Sequence, residues 1–71
     1  MTSTNPISIT VNGESRDVFS CNIAELLKEL QLENRKIAVE LNREIVRRET
    51  YTDTKLSAGD AVEIVNFVGG G

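Results

Sequence analysis

Three of the five glycines in this 71-residue chain stand together as Gly69-Gly70-Gly71, directly after an apolar run at residues 61–68. Glycine has no Cβ, so this is the thinnest and most freely rotating backbone the chain contains. Such a tail adds nothing to a core. It is either an incidental scar or linker remnant, or a working end whose reactive group is the carboxylate of Gly71. The run before it contains no turn signal, so the tail is expected to project from a sheet as a continuous extension. Fully extended, three residues reach about 10 Å, enough to pass down a channel that any Cβ would block.

The rest of the chain offers little else that reacts. It contains no histidine, which removes Ser-His-Asp and Cys-His catalysis and nearly all zinc enzymes. It has no CxxC and no nucleotide-binding glycine loop, since no helix follows the terminal glycines. Carboxylates are frequent, but no pair of them falls in a recognisable pocket, and so small a domain has little cleft. A free-standing enzyme, a resident metal and a bound cofactor are therefore not expected. The single Cys21 reads either as a thiol activated by a helix N-terminus or as a small core residue. Arg47-Arg48 reads either as a contact for an acidic partner or as a solvated turn.

Charge narrows the partners. Eight basic against 11 acidic residues give a net charge of −3, and the basic residues cluster only as Arg35-Lys36 and Arg47-Arg48. Nucleic-acid binding needs a concentrated basic face, and the three aromatic residues are too scattered to stack bases. One cysteine makes no internal disulfide. The N-terminal residues lack the layout of a secretory signal, and no apolar run approaches the roughly 20 residues of a membrane span. A cytoplasmic protein with no membrane partner is expected.

The elements that must carry the tail can be read from periodicity. Ile7-Ser8-Ile9-Thr10-Val11 alternates as a half-buried strand, and Asn12-Gly13 is a strong signal for a two-residue hairpin turn. That turn pairs Val11 with Glu14, Ile9 with Arg16 and Ile7 with Val18, which sets two charged side chains on the apolar face. The second strand is then an edge with long side chains reaching out, or a bulge shifts the register and brings Phe19 inward. Ile23, Leu26, Leu27 and Leu30 form one helical stripe. Asn22 is the expected N-cap, with Glu25 completing a capping box and Cys21 packing on Leu26 as a staple. Asn34 is the expected stop.

Ile37, Val39 and Leu41 share a core-facing side of a third strand. Asn42-Arg43 turns into a short strand at 44–46, and a short helical turn is expected within 47–55. Leu56 is a lone apolar anchor, and Ser57-Ala58-Gly59-Asp60 is turn chemistry. In the last strand Val62 and Ile64 share one face, while Val65 and Phe67 share the other. The simplest architecture is α+β: a mixed sheet of four to five strands with one main helix on one face. A helical crossover between the second and third strands would make that neighbouring pair parallel. The expected organisation is a single domain at 1–68 and a flexible tail at 69–71. Val65 and Phe67 then form either a partner surface on the bare face or a cover for the sheet edge or the 47–55 segment.

Taken together, the ordered segments Ile9-Thr10-Val11-Asn12-Gly13, Leu26-Leu27, Val39-Glu40-Leu41-Asn42-Arg43-Glu44-Ile45-Val46, Leu56-Ser57-Ala58-Gly59-Asp60, Val62-Glu63-Ile64-Val65 and Phe67-Val68-Gly69-Gly70-Gly71 closely resemble the thiamine-biosynthesis sulfur carrier family, ThiS. The likeness covers essentially the whole chain. It implies a ubiquitin-like β-grasp fold and a required terminal Gly-Gly, here Gly70-Gly71.

The resemblance further implies that a ubiquitin-activating-type adenylyltransferase (ThiF-like) binds the body and uses ATP to adenylate Gly71. Sulfur from a cysteine persulfide then gives a thiocarboxylate, which a thiazole synthase (ThiG-like) consumes. Gly69 and Gly70 would thread the partner's site, and Val65, Phe67 and Val68 would dock the body. The small subunit of molybdopterin synthase, a ubiquitin-like modifier and a non-covalent adaptor are the alternative readings.

Overall fold

A computed structural model describes residues 5–67 of the chain. Asn12 and Gly13 adopt φ of 51° and 84°, the left-handed pair that a two-residue hairpin turn requires. They join β1 (Ile7–Val11) to β2 (Glu14–Val18) in the unbulged one of the two registers left open, with Ile9 opposite Arg16 and Ile7 opposite Val18. No bulge intervenes. β2 is an edge strand whose Glu14 and Arg16 stay exposed, and Phe19 remains 49% exposed rather than entering the core. Lying at the edge lets long charged side chains reach water from a nominally inward register.

Helix α1 (Ile23–Glu29) begins where its cap predicts: the Asn22 side chain accepts from the Glu25 backbone N–H at 2.8 Å. The capping box takes a shifted form, since Glu25 accepts from the backbone N–H of Cys21, one residue before the cap, at 3.1 Å. The helix ends earlier than Asn34. Gln31 takes φ 62°, its N–H donates to the Lys28 carbonyl, and the Leu32 N–H donates to the Leu27 carbonyl at 2.7 Å. These two bonds form a Schellman cap without glycine. The left-handed residue costs about 1–2 kcal/mol, which the two satisfied carbonyls and the packing of Leu32 against the core offset.

Five strands form one sheet in the order β2-β1-β5-β3-β4, with β3 at Ile37–Leu41, β4 at Glu44–Val46 and β5 at Ala61–Asn66. One turn of 3-10 helix lies at Arg48–Thr50, within the segment expected to hold a helical turn. The expected parallel pairing of the second and third strands does not occur. The parallel pair is β1 with β5, and β3 is antiparallel to both β5 and β4. Burial explains the difference. β5 contributes Val62 and Ile64, 1% and 8% exposed, and gains most by lying at the centre. Glu14 and Arg16 would be costly there.

The core is built from Ile, Leu and Val. Ile9, Val11 and Val18 from the hairpin, Val39 from β3 and Val62 and Ile64 from β5 pack against Ile23, Leu26 and Leu27 of α1. Leu56 closes the far end as the expected anchor. Each such side chain contributes about 1.5–3 kcal/mol on burial. One helix on one face of a mixed sheet is the β-grasp arrangement the sequence resembles.

Candidate functional site

The strand that leads toward the glycine tail is the most firmly held in the sheet. β5 is bonded along β1 on one side and β3 on the other. Its pairing with β1 is short, Thr10 with Ala61 and Val11 with Val62, because β1 then turns away into the hairpin. Asn12 takes over where β1 leaves off. Its backbone N–H donates to the Val62 carbonyl at 2.9 Å. Its side-chain amide then accepts from the Ile64 N–H at 2.7 Å and donates to the Ile64 carbonyl at 3.2 Å. One side chain thus imitates the next residue of a neighbouring strand.

Asn42 does the same at the opposite end of β5. It lies in the β3–β4 turn with φ 50°, followed by Arg43 at φ 72°. Its side chain accepts from the Ala61 N–H at 2.9 Å and donates to the Asp60 carboxylate at 3.1 Å. Beyond β5, the Phe67 N–H donates to the Lys36 carbonyl at 2.8 Å. The backbone is therefore fixed up to Phe67. Val68 and Gly69-Gly70-Gly71 lie outside the described residues.

On the face of the sheet away from α1, alternation along β5 exposes Glu63 and Val65. Val65 is 55% exposed and Phe67 57%, so neither the sheet edge nor the 47–55 segment covers them. Of the two alternatives offered for this pair, a cover for the sheet edge or the 47–55 segment is not what the fold shows. Sequence reasoning missed a third apolar residue on this face, Ile45, which is 78% exposed. Its position was readable from the turn. A two-residue loop at Asn42-Arg43 pairs Val39 with Val46 and Glu40 with Ile45, which forces Ile45 outward once Val39 points inward.

The same row sets Glu40 directly opposite Glu63, and both are exposed. Like charges facing across strands weaken a sheet. This face is thus apolar at Ile45, Val65 and Phe67 and acidic between them. Folding gains little from either property.

Cys21 departs from both expectations. It is exposed, so it is neither a core residue nor a staple on Leu26. Its thiol lies 3.1 Å from a Glu25 carboxylate oxygen, and that hydrogen bond, with desolvation and the nearby negative charge, holds the thiol above its ordinary pKa. In turn the Glu25 carboxyl is held below its ordinary value, chiefly by the Cys21 backbone N–H. The helix N-terminus does not activate this thiol because its carboxylate stands closer. Among the described residues no cluster of His, Cys, Asp and Glu could hold a metal ion. Likewise, no helix is long and apolar enough to cross a membrane.

Comparison with known proteins follows the same lines. The model of the ThiS family matches residues 9–71. The sulfur carrier protein ThiS of Bacillus subtilis is 49% identical over 49 residues, covering 69% of this chain and 74% of that protein. A thiazole synthase of Paramagnetospirillum magneticum is 42% identical over 66 residues, which is 92% of this chain but 20% of the enzyme. The chain thus spans about a fifth of that relative's length. The crystal structure of the thiamine biosynthesis protein ThiS from Geobacter metallireducens superposes with a TM-score of 0.77 at 39% identity, covering 92% of this chain and 100% of that one.

Proposed function

The chain belongs to the ThiS family, and on that premise we propose that it is the sulfur carrier for assembly of the thiazole ring of thiamine. It acts as a protein co-substrate rather than as an enzyme. The Gly71 carboxylate attacks the α-phosphate of ATP in the active site of an adenylyltransferase, releasing pyrophosphate and forming an acyl adenylate. The terminal sulfur of a cysteine persulfide then displaces AMP. A thiol reductant cleaves the resulting S–S bond, leaving a C-terminal thiocarboxylate for thiazole synthase to consume. ATP is bound by the partner and not by this chain.

One observation carries this reading: the family match extends from residue 9 through the glycine run to Gly71. The geometry supports it. Ordering three glycines in a partner's channel costs about 3–6 kcal/mol, more than their few contacts return. Binding must therefore come from the body. The open face with Ile45, Val65 and Phe67 supplies apolar area close to the last described residue, and Val68, outside the described residues, is assigned to docking by the family resemblance alone. Gly69 and Gly70 give the carboxylate a passage that side chains would block.

Intact mass spectrometry of the protein produced in its native host tests the proposal. The expected product gains the mass of one sulfur replacing one oxygen. Gly70→Val should abolish that gain while leaving the thermal transition unchanged. A protein that never carries the added sulfur, or a Gly70→Val variant loaded as well as the parent, would overturn the assignment.

A further inference from the structure

Two basic pairs, Arg35-Lys36 and Arg47-Arg48, stand apart in the sequence, and the fold brings three of their four residues to one place. Arg35 and Lys36, in the loop after α1, and Arg48, on the 3-10 turn, line a single open groove of about 400 Å³ together with Leu27, Tyr51 and Glu33. Three of the chain's eight cationic residues thus face one concavity in a protein of net charge −3. Glu33 is the one carboxylate in the lining, and none of the three cations is paired with a described carboxylate.

Both rims are fixed. The Arg35 N–H donates to the Leu32 carbonyl at 3.1 Å, and the Lys36 carbonyl holds the Phe67 N–H. On the other side the Thr50 N–H donates to the Arg47 carbonyl, and the Ala24 N–H ties the Tyr51 carbonyl to α1. The cations are therefore presented from two anchored elements across a gap.

We propose that this groove docks an acidic segment of a partner protein, a run of Glu and Asp side chains lying across it. Guanidinium groups on opposite rims suit several carboxylates in a row, each able to take a bidentate contact. A single phosphate would instead call for backbone N–H groups converging on one point, and the lining is made of side chains from separate rims. The half-buried Tyr51 side chain gives the stems of such a segment an apolar contact.

Position adds a consequence. The Lys36 carbonyl holds the Phe67 N–H, so the described backbone ends beside the groove, and a chain of four further residues spans at most about 14 Å. A partner clamped here holds its own site within reach of the tail. Which partner supplies the acids rests on the carrier reading above; the acidic chemistry of its docking segment does not.

The test is an NMR titration of the full 15N-labelled chain with a hexaglutamate peptide, with hexalysine and inorganic phosphate at matched concentrations as comparisons. Saturable shifts at residues 33–37 and 48–51 with hexaglutamate alone are expected, weakening as salt screens the charges. The double variant Arg35→Ser/Arg48→Ser should lose about tenfold or more in affinity, and Lys36→Gln should lose less. All three side chains are exposed, so unchanged dispersion elsewhere will verify the fold. Absent shifts, shifts that the variants leave intact, or equal shifts with phosphate would each overturn the proposal. Because neither Gly71 nor activation enters the experiment, its failure leaves the carrier reading standing.

Discussion

The two faces of β5 carry adjacent residues to opposite fates. Val62 and Ile64 are 1% and 8% exposed beneath α1, whereas Val65 and Phe67, on the other face, are 55% and 57% exposed. The inner residues are accounted for by folding alone. The outer ones are not: their apolar area remains in water, and the acids beside them, Glu40 and Glu63, face each other. A surface that neither buries its carbon nor separates its charge is shaped by something other than the stability of the domain. Under the carrier function proposed above, docking to other proteins would account for it.

The sharpest way to break the contrast is to truncate each side of the strand. Ile64→Ala should cost about 2–4 kcal/mol of stability, read by chemical denaturation, because it leaves a cavity under α1. Phe67→Ala should stay within about 0.5 kcal/mol of the parent in the same assay. It should weaken binding of the adenylyltransferase by about 1–2 kcal/mol in calorimetry. If both variants lose stability alike, the outer face is structural and the distinction fails.

Asn12→Ala is expected next in size. It strips β5 of the two amide hydrogen bonds to Ile64, at about 1–3 kcal/mol. Hydrogen exchange should quicken at the Ile64 amide before it does at Val39. Uniform acceleration through the sheet would mean that Asn12 supports the whole fold rather than this strand.

Smaller and opposite in sign is Glu63→Gln, which relieves the charge facing Glu40 and should stabilise by about 0.2–1 kcal/mol. A loss of stability would show that the pair is not a burden on the sheet.

The smallest effect concerns Cys21. Its raised pKa means that the thiol–carboxylate hydrogen bond is intact below that value and is lost as pH rises through it. The Glu25 side of the contact behaves in the reverse sense, weakening as pH falls through the lowered carboxyl pKa. Alkylation of Cys21 by iodoacetamide should therefore become rapid only at a higher pH than for free cysteine. Glu25→Gln should move that midpoint down, with little change in stability. An unmoved midpoint would exclude Glu25 as the cause.

Much of this was legible before any coordinates. The Asn12-Gly13 turn was legible, but it left two registers open for β1 with β2, and the fold takes the unbulged one, with Ile9 opposite Arg16. The outward direction of Val65 and Phe67 followed from strict alternation with Val62 and Ile64. Ile45 was missed because a three-residue strand reading Glu44-Ile45-Val46 has no clear alternation of its own. The end of α1 was misplaced because a glutamine in the left-handed region, at φ 62°, contradicts its own preference and is held there by tertiary packing of Leu32.

By itself, the sequence determined what is decided within a few residues: strand alternation, the helical stripe, the turn at Asn12-Gly13, the Asn22 cap, and a glycine run at 69–71 in a chain without histidine. Backbone sterics and side-chain period act at that range, so the pattern is printed in the chain. Only the tertiary structure decided the strand order, the Asn12 and Asn42 clamps on β5, and the meeting of Arg35-Lys36 with Arg48. Those depend on which arrangement buries the most apolar surface across the whole chain. Asn12 and Ile64 lie 52 residues apart, and no local pattern in the sequence encodes that they touch.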